Sequence, residues 1–145
     1  GPVMNLLIAI AFAILMHLLF AIGIFEAETR YIVSSGRAVE IGVGSAGVFS
    51  FLYDVLGTVI VFNILLFFFN LIPLAPLDGF KIATGILPPR YANYLLRNQQ
   101  ETMMMLMIFI MMGAFTQGRF DVLGTILGPP LRMTYELLTG LYPSF

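Results

Sequence analysis

Long apolar runs, rather than an alternation of apolar and polar residues, dominate the first half of the chain. The first run extends from Val3 to Phe25 and is apolar apart from Asn5 and His17. The second extends from about Val55 to Ile72 and is ended by Pro73. At about 1.5 Å per residue, an α-helix over either run is long enough to cross the roughly 30 Å hydrocarbon core of a bilayer. The pattern therefore predicts two membrane-spanning helices.

A third apolar segment and an interrupted tail make up the second half. The third segment extends from about Tyr94 to Phe115, and its densest part, from Met103 onward, needs the preceding turn to reach across a bilayer. The tail from Phe120 to Tyr142 is broken by Gly128-Pro129-Pro130, which predicts two short amphipathic helices, interfacial or re-entrant. The pattern predicts an all-α polytopic membrane protein, a single membrane domain over residues 1–145 with about three transmembrane helices (about 3–25, 55–72 and 94–115) and an amphipathic C-terminal segment (120–142).

Composition supports the membrane assignment and excludes several classes of protein. Hydrophobic residues make up 59% of the chain and charged residues 10%, whereas soluble domains average about 45–50% and about 25%. So few charged residues cannot cover the surface of a soluble enzyme. The net charge is −1, whereas a nucleic-acid binder needs a basic patch. The absence of cysteine excludes disulfides and a Cys-based zinc site.

Polar residues and prolines cluster at the end of the second run. Asn63 and Asn70 are one heptad apart and so share a helix face, where their amides are expected to bond a neighbouring helix. Pro73 and Pro76 interrupt the helix and are followed at once by Asp78. Irregular backbone at membrane depth is tolerated only within protein or beside water, and an ionisable residue there is a functional candidate. Asp78 could coordinate a metal, relay a proton or cap a helix that begins at Gly79.

The residues from Asn70 to Gly79, Asn-Leu-x-Pro-x-x-Pro-Leu-Asp-Gly, resemble the third core motif of the site-2 proteases, the intramembrane zinc metalloproteases. Asn63 and Leu66 fit the same pattern. The opening Gly1-Pro2-x-x-Asn5 resembles the start of the core helix that follows the zinc-binding helix of that family. Both motifs occur in the expected order, so the resemblance covers nearly the whole chain.

The resemblance implies a role for two residues. Asp78 would be the third zinc ligand, and Asn70 would line the cleft and contact the substrate backbone or the transition state. Two histidines of an H-E-x-x-H helix would complete the ligand set, its glutamate would activate water, and such a zinc lowers the pKa of its bound water to about 7. The implied partners are membrane lipids and a transmembrane-helix substrate, and the implied location is a prokaryotic cytoplasmic membrane.

The chain departs from the family pattern in its histidines. It has one histidine, His17, interpreted as a packing or lipid-facing residue, and no His-Glu pair, so it cannot by itself form the catalytic site. One interpretation is that the H-E-x-x-H helix precedes Gly1, and zinc is expected only if that helix exists. The alternative is a catalytically inactive subunit of a larger membrane complex, without a cofactor, whose intramembrane polar residues bond neighbouring helices: Asn5, Asn63, Asn70 and Asp78. An ion or proton path through Asp78 is disfavoured because no second intramembrane acid faces it.

Overall fold

The fold is helical, with one short pair of strands. The computed structural model describes residues 1–25, 27–30, 40–43, 48–116 and 121–140. In chain order the elements are α1 (Pro2–Ala21), β1 (Ala27–Arg30), β2 (Glu40–Val43), α2 (Val48–Leu71), α3 (Asp78–Ile86), α4 (Pro89–Arg97), α5 (Gln99–Phe115) and α6 (Val122–Thr139). The strands pair antiparallel, with Ala27 opposite Val43 and Arg30 opposite Glu40. This pair is an addition to the predicted all-α fold.

Two helices in the described part of the chain are long and apolar enough to cross a membrane. They are α1, with 20 residues and a mean hydropathy of 2.5, and α2, with 24 residues and a mean hydropathy of 2.1. Helix α2 begins at Val48 rather than at the predicted Val55. No proline lies between these two positions, so the helix can start earlier, and Asp54 lies inside it. It ends at Leu71, one residue before the predicted Ile72 and two residues before Pro73, which disfavours helical geometry in the residue that precedes it.

The predicted third span is not confirmed. The segment from Tyr94 to Phe115 is divided between α4, which ends at Arg97, and α5, which begins at Gln99. Helix α5 has 17 residues, and at about 1.5 Å per residue it is about 25 Å long, short of the roughly 30 Å core. The polar run from Asn98 to Glu101 marks this break.

The predicted division of the tail into two helices is wrong. Helix α6 is continuous from Val122 to Thr139 and contains both Pro129 and Pro130. A proline inside a helix removes a backbone donor and usually kinks or ends the helix, yet α6 continues through both prolines. Residues 120 and 141–142 of the predicted tail lie outside the described residues.

The chain divides into two compact units, the second of which has a small core around two tyrosines. This unit comprises Asn5–Ile64 and Leu131–Phe145. Phe25 and Tyr53 meet edge to face with ring centroids 5.7 Å apart. The Tyr135 hydroxyl lies 3.5 Å from the position that a Cβ on Gly57 would occupy. Burial raises the pKa of Tyr135 above its usual value, so this hydroxyl stays neutral. The first unit, Gly1–Met4 with Leu65–Pro130, contains the candidate site.

Candidate metal-binding site

The connection between α2 and α3 is an irregular turn, as the two prolines predicted. The Leu74 N–H donates to the Ile72 carbonyl at 2.8 Å, and the Leu77 N–H donates to the Leu74 carbonyl at 3.0 Å. The peptide bond between Ala75 and Pro76 is cis. These short-range bonds replace the helical pattern, so the turn satisfies part of its own backbone.

A side chain from α5 supports the middle of this turn. Ala75 is fully buried, and its N–H donates to the Thr102 hydroxyl at 3.4 Å. That hydroxyl in turn donates to the Gln99 carbonyl at 2.8 Å. Because a buried backbone N–H without a partner is costly, Thr102 has a defined structural role. No local sequence pattern marks Thr102, because its contact with Ala75 joins residues far apart in the chain.

The packing around Gly79 explains why a residue without a side chain follows Asp78. It is buried, and a Cβ at this position would overlap the carbonyl oxygens of Leu71 and Ile72. The first turn of α3 therefore lies directly against the end of α2, at a distance that admits no side chain. This close approach of two backbone segments determines where Asp78, the preceding residue, is placed.

Asp78 is the first residue of α3, and its carboxylate is partly accessible. The N-cap position is occupied by Leu77, without a side-chain capping bond, so of the three alternatives for Asp78 the capping role does not hold. The carboxylate instead accepts from Lys81, with Nζ 3.2 Å from Oδ1. The side chain of Asp78 is 35% exposed and that of Lys81 is 75% exposed. A carboxylate in the first turn also interacts favourably with the helix dipole.

Gly1 lies against the other oxygen of this carboxylate. A Cβ on Gly1 would be 2.7 Å from Oδ2 of Asp78 and 3.6 Å from its Cγ. Pro2, which follows, is buried. The two short motifs that the sequence analysis singled out, one at Gly1-Pro2 and the other at Asp78-Gly79, are thus adjacent in the folded chain. Their separation in sequence is nearly eighty positions, so only the tertiary structure could show this contact.

The asparagines bond within their own helix. The Nδ2 of Asn63 donates to the Val59 carbonyl and that of Asn70 to the Leu66 carbonyl, each at 2.8 Å. The expected bonds to a neighbouring helix are not seen among the described residues. Asn70 is half-buried, and an amide has a further N–H and an oxygen beyond the one donor used here.

His17 does not approach a metal-binding cluster in the described part of the chain. Its Nδ1–H donates to the Ala13 carbonyl at 2.9 Å, and the residue is exposed on α1. Within residues 1–25, 27–30, 40–43, 48–116 and 121–140, no three His, Cys, Asp or Glu side chains are close enough to hold a metal ion. Asp78 fits one position in a zinc ligand set, and these residues do not supply the others.

One face of α5 is an open apolar surface, separate in character from this site. It is formed by Met104, Met107, Ile108, Met111, Met112 and Phe115, most of which are exposed. None of these side chains titrates or carries a charge. The surface therefore adds no group that could assist the carboxylate of Asp78.

Comparison with known proteins places the chain in a family. The sequence matches peptidase family M50 over residues 1–114, a range that includes both motifs and all of the contacts around Asp78. The chain therefore belongs to peptidase family M50, the site-2 protease family, and at family level it is a site-2-protease-like intramembrane metalloprotease. The two long apolar helices agree with a location in a membrane. No curated protein and no solved structure is significantly similar to the chain.

Proposed function

We propose that this chain contributes the aspartate ligand to the active site of an intramembrane zinc peptidase. The observation that carries the proposal is the contact between Gly1 and the Asp78 carboxylate, because it joins two family motifs that are remote in sequence. In this proposal Asp78 is the third ligand, and the two histidines and the glutamate come from an H-E-x-x-H segment outside these 145 residues. Zinc, when bound, supplies Lewis acidity and an activated water.

The surroundings of Asp78 suit a ligand on a rigid support. The tight approach at Gly79 fixes the start of α3, and the bond from Ala75 to Thr102 holds the preceding turn. A metal ligand must be held in place by its neighbours to give a defined coordination geometry, and these contacts do that through the backbone. The side chain of Asp78 remains 35% exposed, which leaves an approach for an ion.

Asn70 is proposed to bind the substrate backbone. Its bond to the Leu66 carbonyl uses one N–H and orients the amide, and the second N–H and Oδ1 remain for a peptide group. The proposed substrate is a transmembrane helix that must be locally unwound, because a helix satisfies its backbone groups internally and shields its peptide bonds. The chain would act as a multi-pass protein in a prokaryotic cytoplasmic membrane, in contact with lipids.

A catalytically inactive subunit of a larger membrane complex is the second candidate. The pairing of Asp78 with Lys81 favours it, because such an ion pair also suits a purely structural carboxylate. Asn63 and Asn70 each use one N–H within α2, which leaves the rest of each amide for a bond to a helix of another subunit.

Zinc retention by Asp78→Asn separates the two candidates. We expect the variant, made in the full-length protein and purified in detergent, to hold zinc at least about tenfold more weakly than the wild type, since losing even an outer-shell partner costs about 10–100-fold in metal affinity. Glu101→Gln, at an exposed position on α5, is the matched control and is expected to keep its zinc. Zinc content is measured by mass spectrometry after dialysis against a chelator.

Two results would overturn the proposal. Retention of zinc by Asp78→Asn at the wild-type ratio would exclude the ligand role. A full-length wild-type protein that binds no zinc would favour the inactive subunit.

A further inference from the structure

The segment between α2 and α5 carries an excess of positive charge. Residues 79–100 contain three basic residues, Lys81, Arg90 and Arg97, and no acidic residue. Lys81 is paired with Asp78. Both arginines are exposed, and neither forms an ion pair within the described part of the chain. Two positive charges are therefore left without an acidic partner among the described residues.

The two arginines lie on one face of α4. Arg90 is three positions before Asn93 and seven before Arg97, so these three residues share a side of the helix. All three are exposed, whereas Ala92 is buried and α4 contacts both α3 and α5. Helix α4 thus has one side within the protein and an exposed basic face, formed by Arg90, Asn93 and Arg97.

The stability of α4 accounts for Arg97 but not for Arg90. Arg97 is in the last turn, where a cation interacts favourably with the helix dipole. Arg90 is the second residue of the helix, at the end where the same dipole disfavours a cation. No acidic residue in that turn offsets its charge. The position of Arg90 therefore indicates an anion that the described residues do not supply.

Large apolar side chains surround the basic face. Ile86, the last residue of α3, is 79% exposed, and Tyr91, Tyr94 and Leu96 on α4 are each more than half exposed. A small soluble anion would neutralise the arginines and leave these side chains in water. The surface of a bilayer, by contrast, accepts both tyrosine rings and aliphatic side chains below its headgroups.

The connectivity of the segment also favours a bilayer surface. It follows α2, which is long and apolar enough to cross a membrane, and it precedes α5, which is apolar from Met103 onward. We infer that the basic face of α4 binds the headgroups of anionic phospholipids, with Arg90 and Arg97 on the phosphate oxygens and the neighbouring apolar side chains at the acyl boundary. This role does not depend on the metal ligand proposed at Asp78.

The test measures lipid binding to the full-length protein in detergent by native mass spectrometry. Phosphatidylglycerol, which is anionic, and phosphatidylcholine, which is zwitterionic, are titrated separately. A basic residue near an anionic surface strengthens binding about fivefold, so the double variant Arg90→Gln, Arg97→Gln is expected to bind its first phosphatidylglycerol about 25-fold more weakly, with phosphatidylcholine binding unchanged. The matched control is Arg90→Lys, Arg97→Lys, which keeps both charges and is expected to keep most of the preference for phosphatidylglycerol.

A salt series gives an answer that does not depend on how the variants fold. The wild type is expected to lose its preference in about 1 M ammonium acetate, where the Debye length is about 3 Å. Equal binding of the two lipids by the wild type in dilute buffer would overturn the inference, as would a preference that survives in the glutamine variant or at high salt. Full competition by glycerol 3-phosphate would instead assign the face to a small anion. Wild-type dimers that the glutamine variant abolishes would assign it to a second copy of the chain.

Discussion

Replacement of Gly79 by alanine is the most direct test of how the site is built. The added Cβ would overlap the carbonyl oxygens of Leu71 and Ile72, which belong to the end of α2 and the start of the turn. Neither oxygen can rotate away, so the start of α3 must move. Overpacking of this kind costs typically about 1–3 kcal/mol, and contact with backbone places the expected loss at the upper end of that range. Helix propensity offsets only about 1 kcal/mol, the advantage of alanine over glycine inside a helix.

The net expectation is a loss of about 1–2 kcal/mol in the free energy of unfolding for Gly79→Ala. Gly85→Ala, in the same helix but in open space, is expected to be neutral or to gain up to about 1 kcal/mol, because only the propensity term applies. Both variants are measured by denaturant titration in detergent, followed by circular dichroism. Equal stability of the two variants would refute the argument that a close backbone approach requires glycine at position 79.

Two further contacts in the same unit give predictions of similar size. Asp121→Ala is expected to lower the free energy of unfolding by about 0.5–2 kcal/mol. The reason is that Oδ1 of Asp121 accepts a hydrogen bond from the Gly124 N–H at 2.8 Å, at the start of α6. Asp121→Asn, which keeps an acceptor, is expected to stay close to the wild type in the same denaturation assay, and an equal loss in both variants would contradict the capping role. Thr102→Val is expected to lower the free energy of unfolding by about 1 kcal/mol, the lower end of the cost of an unsatisfied buried N–H. The lower end applies because the hydrogen bond from Ala75 is long, at 3.4 Å. Thr102→Ser keeps the hydroxyl and is expected to retain most of the stability, so a larger loss in serine than in valine would exclude the hydrogen bond as the cause.

The two apolar helices and the turn after α2 could be predicted from the sequence because their causes are local. A long apolar run satisfies its backbone by forming a helix, and Pro73 and Pro76 end that helix wherever it lies in the fold. The motif around Asp78 also identified the family, which the match over residues 1–114 confirms. These properties depend on neighbours along the chain and not on what packs against them.

Three features differ from what the sequence pattern predicted. The expected third span is divided between α4 and α5 at Asn98, and helix α6 continues through Pro129 and Pro130. The asparagines bonded within α2, an option that spacing alone does not distinguish from a bond to a neighbour.

The sequence by itself determined the apolar helices, the irregular turn and the residue types of the candidate site. The tertiary structure alone decided that Gly1 meets Asp78 and that Gly79 meets the end of α2. The sequence shows which residues are glycines. Whether a glycine is required at a position depends on a neighbouring segment that comes close only in the folded chain. The physical reason is steric: a close approach is a property of two segments, and a linear pattern describes one segment at a time.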